Sequence, residues 1–553
     1  EAIEEYDYTG SYLPAYPIKV NQNCHIVDEL LRAGRKYNLC LEIGSKTEFL
    51  AALSFEQKPG ALLICNGFKD TEYIENAVLG MRLGKRVVLV VEKVYEVDLI
   101  IEKLRDLPPA LRPAIGLRLR LAARGSGRWG RAGGSTSKFG LTTLELLQCI
   151  EKLKNAGMLG LVEMLHCHNG SQITEIRKIK NVMREMARIY AKVRKNGIKI
   201  KYLNVGGGLG VDYDGSRTSS DSSVNYSMQE FANDVVYTIH TVCESEEVEA
   251  PIIVTETGRA LTAYHAILVT NVITEIHGDT PAVTATEEDP LVVQELAELR
   301  DEITIKNFRE FYHDALHQRE ELLSMFNLGY LDLESRAKGE SLFWEICRKS
   351  VTYARRQKFV PEEFEALERH LAKKYVCNFS IFQSLPDHWA IEQLFPIMPI
   401  HRLTEMPTEA ASLVDLTCDS DGEIDNFVDL KDIKKTLAVH PLDGNPYYLA
   451  ILLVGAYQDT MGNFHNLFGK VNEAYVIIDE RKQVHIQRIV RGDSAAEVTA
   501  HFGYDRDTML RRVRAQIERL GLEGEARTEM EHCLALYRKQ LDHSPYLREG
   551  TGA

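Results

Sequence analysis

Eight short apolar runs, each suited to a strand and each closed by polar residues or glycine, constrain this chain more than any other feature. They are Ala15–Val20, Leu39–Ile43, Ala61–Asn66, Arg86–Val91, Ala114–Leu121, Leu161–His168, Tyr202–Gly207 and Pro251–Glu256. Most are followed by stretches with helical apolar spacing, such as Val27–Tyr37 and Thr71–Leu79. Alternating strands and helices cover a parallel sheet with helices, and eight such units predict an α/β fold of the (β/α)8 barrel type, a TIM barrel. A doubly wound open sheet is the alternative. In a barrel the chemistry gathers at the C-terminal ends of the strands. Those ends carry Lys19 and Asn21, Glu42, Asn66, Glu92, Arg118 and Arg120, His166 and His168, Gly206–Gly208, and Glu256 with Arg259. A glycine-rich loop, 124–137, follows the fifth run.

At 553 residues the chain exceeds one ordinary core. Residues 285–375 change character, with helical spacing in Val292–Ile303, Phe308–Met325, Ser341–Arg356 and Pro361–Lys374. Strand-like runs then return at Tyr375–Gln383, Ile397–Leu403, Ser412–Thr417, Thr436–Val439, Tyr447–Gly455, Ala474–Asp479 and Val484–Val490. The organisation read from this is a barrel over 1–280, a helical-bundle insertion over 281–374, a mostly antiparallel β domain over 375–492 and a helical tail over 493–553.

A net charge of −14 argues against nucleic acid or an anionic membrane surface as the main partner. The ten cysteines are scattered and form no CxxC pair, which speaks against a disulfide scaffold and for a reducing compartment, the cytoplasm. No apolar run approaches the length of a membrane span. The chain begins at Glu1 without methionine or a signal-peptide pattern, so the start is read as a truncation or a processed end.

Lys19 stands out within Tyr16-Pro17-Ile18-Lys19-Val20-Asn21-Gln22. A lysine in an apolar run must be paired, neutralised or snorkelled to water, and one use for it is a Schiff base with an aldehyde cofactor. Gly206-Gly207-Gly208-Leu209-Gly210 closes a strand and lets backbone N–H groups approach a phosphate, although a tight turn would look the same. Gly258 and Arg259 follow the next strand and can complete a phosphate cup, with Glu256 placed to face a ring nitrogen. His168 offers a flat ring for stacking, and Ser171 a hydroxyl for a phosphate. His166 and His168 share a strand face as a metal pair would, but no third ligand stands nearby. Cys418 beside Asp419 reads as a thiol proton donor next to a carboxylate for a cationic substrate tail, or as an acidic surface turn. The acids 419–425 lack the spacing of an EF-hand.

Lys19, His168, the glycine run, Glu256–Arg259, Cys418-Asp419 and Gly455-Ala456-Tyr457 occur in an order that resembles the fold type III, pyridoxal-phosphate-dependent basic amino-acid decarboxylases. Phe382-Gln383-Ser384-Leu385-Pro386-Asp387 and His465-Asn466-Leu467-Phe468-Gly469, with the helical insertion and tail, resemble the biosynthetic arginine decarboxylase branch. The resemblance implies conversion of L-arginine to agmatine and carbon dioxide for polyamine biosynthesis, with pyridoxal 5′-phosphate as cofactor. Magnesium is a further family cofactor, for which no site is visible. It implies that Lys19 carries the cofactor, that His168 stacks on its ring and that Glu256 meets its nitrogen. Ser171, Gly207, Gly208, Gly258, Arg259 and Tyr457 would surround its phosphate, and Arg120 would stand behind Glu256 at the ring nitrogen. Cys418 would donate a proton, and Asp419 with Asp387 would grip the substrate's distal cation. Cys418 and Asp419 would reach across a homodimer interface, so the β domain completes the active site; a tetramer is the larger assembly considered. Two departures stand out. Members carry a segment upstream of the lysine strand, and only eighteen residues precede Lys19, so that part was removed or belongs to a separate piece. His168-Asn169-Gly170-Ser171 replaces the family's His-Leu-Gly-Ser. Ornithine, lysine or diaminopimelate as substrate, a racemase, and a non-catalytic regulatory homologue remain as alternatives.

Overall fold

The computed structural model describes residues 1–123, 137–276, 283–429 and 433–548, so the glycine-rich loop singled out above lies outside the described residues except for Ser137. Eight parallel strands close a barrel in sequential order: β1 (Tyr12–Pro17), β2 (Cys40–Ile43), β3 (Leu62–Cys65), β4 (Arg86–Val91), β5 (Ala114–Arg118), β6 (Val162–His166), β7 (Tyr202–Asn204) and β8 (Ile252–Glu256), with β8 pairing back to β1. Their residues alternate between two cores, as a period of two requires. Cys40, Leu62, Ile64, Val88, Val90, Met164 and Val254 pack together in one cluster. Leu41, Ile43, Leu63, Val87, Leu89 and Leu165 join the larger core that includes the helices. Burial on both sides explains why these runs are almost continuously apolar.

The first run is corrected by the structure. β1 ends at Pro17, and Ile18–Val20 form one 3-10 turn. Proline cannot donate to the ladder, so pairing stops there and Lys19 leaves the strand for the barrel mouth. The fifth, sixth and seventh strands are likewise shorter than their apolar runs, and the trimmed residues form the loops of the site.

The second sheet uses β9 (Leu268–Ile276), β10 (Lys373–Cys377), β11 (Ile397–Pro399), β12 (Glu409–Val414), β13 (Glu423–Ile424), β16 (Leu437–Val439) and β17 (Tyr447–Ile451). β14 (Phe427–Val428) pairs with β15 (Ile433–Lys434) outside it. Strand β9 lies inside the span expected for the barrel, yet it pairs antiparallel with β10 and β17. The barrel is already closed by the β8–β1 pairing and has no free edge to take a ninth strand. The second sheet is antiparallel apart from β10 with β12. The two runs expected to end the β domain instead form a separate exposed ribbon, β18 (Glu473–Ile478) with β19 (Val484–Val490).

Helices Leu291–Glu302, Phe308–Asn327, Leu333–Ala354 and Glu362–Leu371 form the inserted bundle around Val293, Leu296, Leu322, Leu342, Ile346 and Phe364. Asp332 caps the third helix by accepting from Ser335 N. The tail holds helices Ala495–Ala500, Arg506–Arg519 and Gly524–Leu541. Among the described residues no helix is long and apolar enough to cross a membrane.

Candidate active site

Lys19 sits in a braced turn. The Tyr16 hydroxyl donates to Asn21 O at 2.9 Å, and the Asn21 amide donates to Gly455 O at 3.1 Å, tying the turn to the second unit, the part of the chain built on the second sheet. Lys19 Nζ lies 2.7 Å from Glu42 Oε2. Burial opposes the lysine's charge, but the Glu42 and Glu256 carboxylates outweigh it and hold the ammonium above its ordinary value. Burial also pushes the Glu42 carboxyl upward; the short contact keeps the proton on Lys19.

Glu256 ends β8 and is buried. Its Oε1 faces three nitrogens from other strand ends: Asn66 Nδ2 at 3.2 Å, His166 Nε2 at 2.8 Å and Asn204 Nδ2 at 2.9 Å. Its Oε2 is buried with no hydrogen-bond partner. Burial works against the charge, yet His166 and Lys19 hold this carboxyl well below the usual range, so it is anionic. Asn66 Nδ2 also donates to Glu42 Oε1 at 2.7 Å, so one amide joins both acids. Asn66 is fixed by the Tyr73 hydroxyl, which donates to its carbonyl at 2.7 Å. The adjacent Gly67 N–H donates to Glu92, itself paired with Arg118 at 2.8 Å.

Beyond β7 the glycines shape a cradle. A Cβ on Gly207 would lie 2.4 Å from Glu256 O, and Gly208 adopts φ +100°, which disfavours any side chain. Arg259 begins a short helical turn after β8 and is buried. Its Nε and Nη2 lie 3.3 and 3.2 Å from Ser171 Oγ, and its guanidinium lies 4.8 Å from the Tyr457 ring centre. Tyr457 adopts φ +69° and donates its N–H to Val20 O, which presents its ring to the cleft. His168 Nδ1 accepts from Gly170 N at 3.2 Å. Burial lowers the His168 pKa to about 3, so the ring is neutral and, with Nδ1 accepting, carries its proton on Nε2. Lys19, His168, Ser171, Gly208, Glu256, Gly258, Arg259 and Tyr457 line one cleft.

These groups fit pyridoxal phosphate. An anionic carboxylate has one oxygen free for a ring N–H, an amine stands beside it, and a glycine cradle with a guanidinium and a hydroxyl lies beyond. Four residues of the expected set lie elsewhere. The Arg120 guanidinium donates to the carbonyls of Phe139 and Gly140 and so orders the loop after β5. Asp387 is buried, and its Oδ2 accepts from Gln458 at 2.8 Å. Cys418 is exposed, with its N–H on Asn466 Oδ1, and neither it nor Asp419 lines the cleft of its own chain. Glu42, Asn66, His166 and Asn204 were not assigned site roles from the sequence. Glu42, Asn66 and His166 carried a signal as polar residues at strand ends, whereas Asn204 lay inside the run Tyr202–Gly207 and carried none. Tyr213, whose hydroxyl lies 2.9 Å from Arg259 Nη1, left no such signal.

Residues 3–263 match the family described as the pyridoxal-dependent decarboxylase, pyridoxal binding domain, and residues 286–368 match the arginine decarboxylase helical bundle domain. Fold and site together therefore define a pyridoxal-phosphate-dependent decarboxylase of the barrel type. The chain is 46% identical over 539 residues to a biosynthetic arginine decarboxylase of Deinococcus radiodurans, covering 96% of this chain and 81% of that protein. It is 46% identical over 550 residues to one from Thermosynechococcus vestitus, covering 99% and 86%. The crystal structure of the biosynthetic arginine decarboxylase SpeA from Campylobacter jejuni aligns with a TM-score of 0.85 at 34% identity, covering 99% of this chain and 88% of that one. The chain belongs to the biosynthetic arginine decarboxylase family. A diaminopimelate decarboxylase from M. jannaschii, at 18% identity and TM-score 0.58, shares the fold.

Proposed function

We propose that this chain decarboxylates L-arginine to agmatine and carbon dioxide, in the cytoplasm and as a step toward polyamines. The observation that carries this reading is Glu256: three nitrogens crowd one oxygen while the other stays buried and free beside Lys19. Pyridoxal phosphate, when bound, supplies a sink for the electron pair left as the carboxylate departs. In the net reaction the bond from Cα to the carboxylate breaks, carbon dioxide leaves, and one proton takes its place at Cα.

Lys19 would supply the amine that holds the cofactor, and Glu42 favours the charged form of that amine. Glu256 Oε2 would accept from a ring N–H and favour the protonated ring. His168, neutral and planar, would offer its face to the ring. Arg259, Ser171 and the Gly207, Gly208 and Gly258 backbone would receive the phosphate, with Tyr457 beside them. Cys418 and Asp419 are exposed and stand outside their own chain's cleft, which supports a homodimer in which each chain lends this pair to its partner. Cys418 then returns the proton to Cα, and Asp419 takes the guanidinium, a planar fork of donors suited to a carboxylate. That all ten cysteines are free thiols supports a reducing compartment.

Carbon dioxide release from L-arginine, L-ornithine, L-lysine and meso-diaminopimelate tests the reading. Arginine is expected to lead ornithine by roughly 2–4 kcal/mol in kcat/KM, because ornithine leaves charged acceptors partly unpaired. Equal or better turnover of any of the other three overturns the substrate assignment.

A further inference from the structure

Arg259 is a buried cation whose guanidinium has five donors in a rigid plane. Nη1 meets the Tyr213 hydroxyl at 2.9 Å, while Nε and Nη2 point to Ser171 Oγ at the cleft. Tyr213 is only 1% exposed and belongs to the segment between β7 and the helix Met228–Ser245. That segment is pinned to the barrel by Gln172, whose side chain accepts from Val211 N at 2.9 Å and donates to Val211 O at 2.6 Å. On its far side the Tyr213 ring meets the Phe395 ring edge-on, 5.7 Å between centres. Ser222, whose carbonyl accepts from Tyr213 N, also takes Leu394 N at 3.4 Å. Tyr213 is thus wedged between the barrel and residues 394–395 of the second unit.

We propose that Tyr213 is a positioning residue for the phosphate grip: it occupies one corner of Arg259 and, braced on Phe395, aims the guanidinium's Nε–Nη2 edge at the cofactor phosphate. Anchoring one nitrogen of a planar fork fixes the direction of the others. Desolvation opposes the Arg259 charge, and Tyr213, Tyr457 and the buried Asp387 favour it. The grip on a barrel-bound phosphate therefore depends on the docking of the second unit.

This inference rests on the reading that Arg259 meets the phosphate, and the test separates the two. Full-length apoprotein is titrated with pyridoxal phosphate and with pyridoxal, following the absorbance of bound cofactor. Tyr213→Phe keeps the ring on Phe395 and removes only the hydroxyl. It is expected to weaken pyridoxal phosphate about five- to tenfold and to leave pyridoxal within about twofold, since only one hydrogen bond to a charged group is lost. Phe395→Leu, which keeps the hydroxyl but loosens the brace, is expected to give a smaller loss confined to pyridoxal phosphate. Arg259→Gln is the control. If it weakens pyridoxal phosphate while Tyr213→Phe and Phe395→Leu do not, the inference is overturned. It is equally overturned if Tyr213→Phe weakens both compounds alike. If Arg259→Gln itself spares pyridoxal phosphate, the phosphate reading fails and takes the inference with it.

Discussion

The Lys19 ammonium and the Glu42 carboxylate stand 2.7 Å apart, and the second oxygen of Glu42 is tied through Asn66 to Glu256. The amine proposed to take the cofactor and the acid proposed to face its ring nitrogen are therefore linked through a single side-chain amide.

Borohydride reduction of the holoenzyme is expected to label the Lys19 peptide. Glu42→Gln removes the anion that holds the Lys19 pKa up, and burial then acts with less opposition. The neutral amine, which is the nucleophile, becomes available at lower pH. The midpoint of the pH–rate profile for reloading apoprotein with pyridoxal phosphate should move down by about one unit or more, one unit being ~1.4 kcal/mol. An unchanged or raised midpoint would remove Glu42 from this role.

Glu256→Gln preserves size and hydrogen bonding but not charge. Cofactor should stay bound while kcat falls by about two orders of magnitude or more, the equivalent of ~2.7 kcal/mol or more on the barrier. Asn204→Ala takes away one of the nitrogens facing Oε1 and should cost about 1 kcal/mol in kcat/KM, within the range of a single hydrogen bond. Wild-type turnover in Glu256→Gln would exclude the carboxylate from the chemistry.

His168 is neutral in the fold, with a pKa of about 3 against an ordinary 6.5. Between those values the unfolded chain binds a proton that the folded chain refuses, so stability is lost as pH falls from about 6.5 toward 3. His168→Phe removes that liability. Urea unfolding of the two apoproteins at pH 7 and pH 4.5 should show the variant gaining on the wild type at the lower pH. A constant difference would mean that the histidine is not refused its proton.

A Cβ at Gly258 would lie 2.4 Å from Val20 Cγ2 and 2.8 Å from Pro17 Cγ, against the turn that carries Lys19. Gly258→Ala should cost about 1–3 kcal/mol of stability, as overpacking does. It should also weaken cofactor binding, which thermal melts with and without pyridoxal phosphate would read. A variant that melts and loads like the wild type would show that the turn yields freely.

Mixing inactive Lys19→Ala and Cys418→Ala proteins under subunit exchange should return about a quarter of the sites in a randomly paired dimer, because each mixed dimer regains one intact site. Absence of recovery after proven exchange would mean that each chain builds its own site.

The barrel was legible in the sequence because the signal for a doubly covered strand is local: a run such as Arg86–Val91 is apolar on both faces wherever it sits. Lys19, Glu256 and Arg259 were likewise expected at the barrel mouth from their types and their places at or just after strand ends, and they line one cleft. The turn at Ile18–Val20 was one proline away from being read correctly. What the sequence alone could not decide was which strand ends meet. Asn66, His166 and Asn204 converge on Glu256 from separations of 190, 90 and 52 residues, and only closure of the barrel brings them together. The hold of His166 on that carboxylate comes from close approach and works against desolvation, while the fall of His168 to about 3 comes from desolvation itself; both exist only in the packed state. The strand Leu268–Ile276 joined the second sheet because its partners, Lys373–Cys377 and Tyr447–Ile451, lie about a hundred residues or more downstream. Tyr213 reached Arg259 for the same reason: a local pattern specifies an element and its faces, while the pairing of distant elements is set by which burial the whole chain can complete.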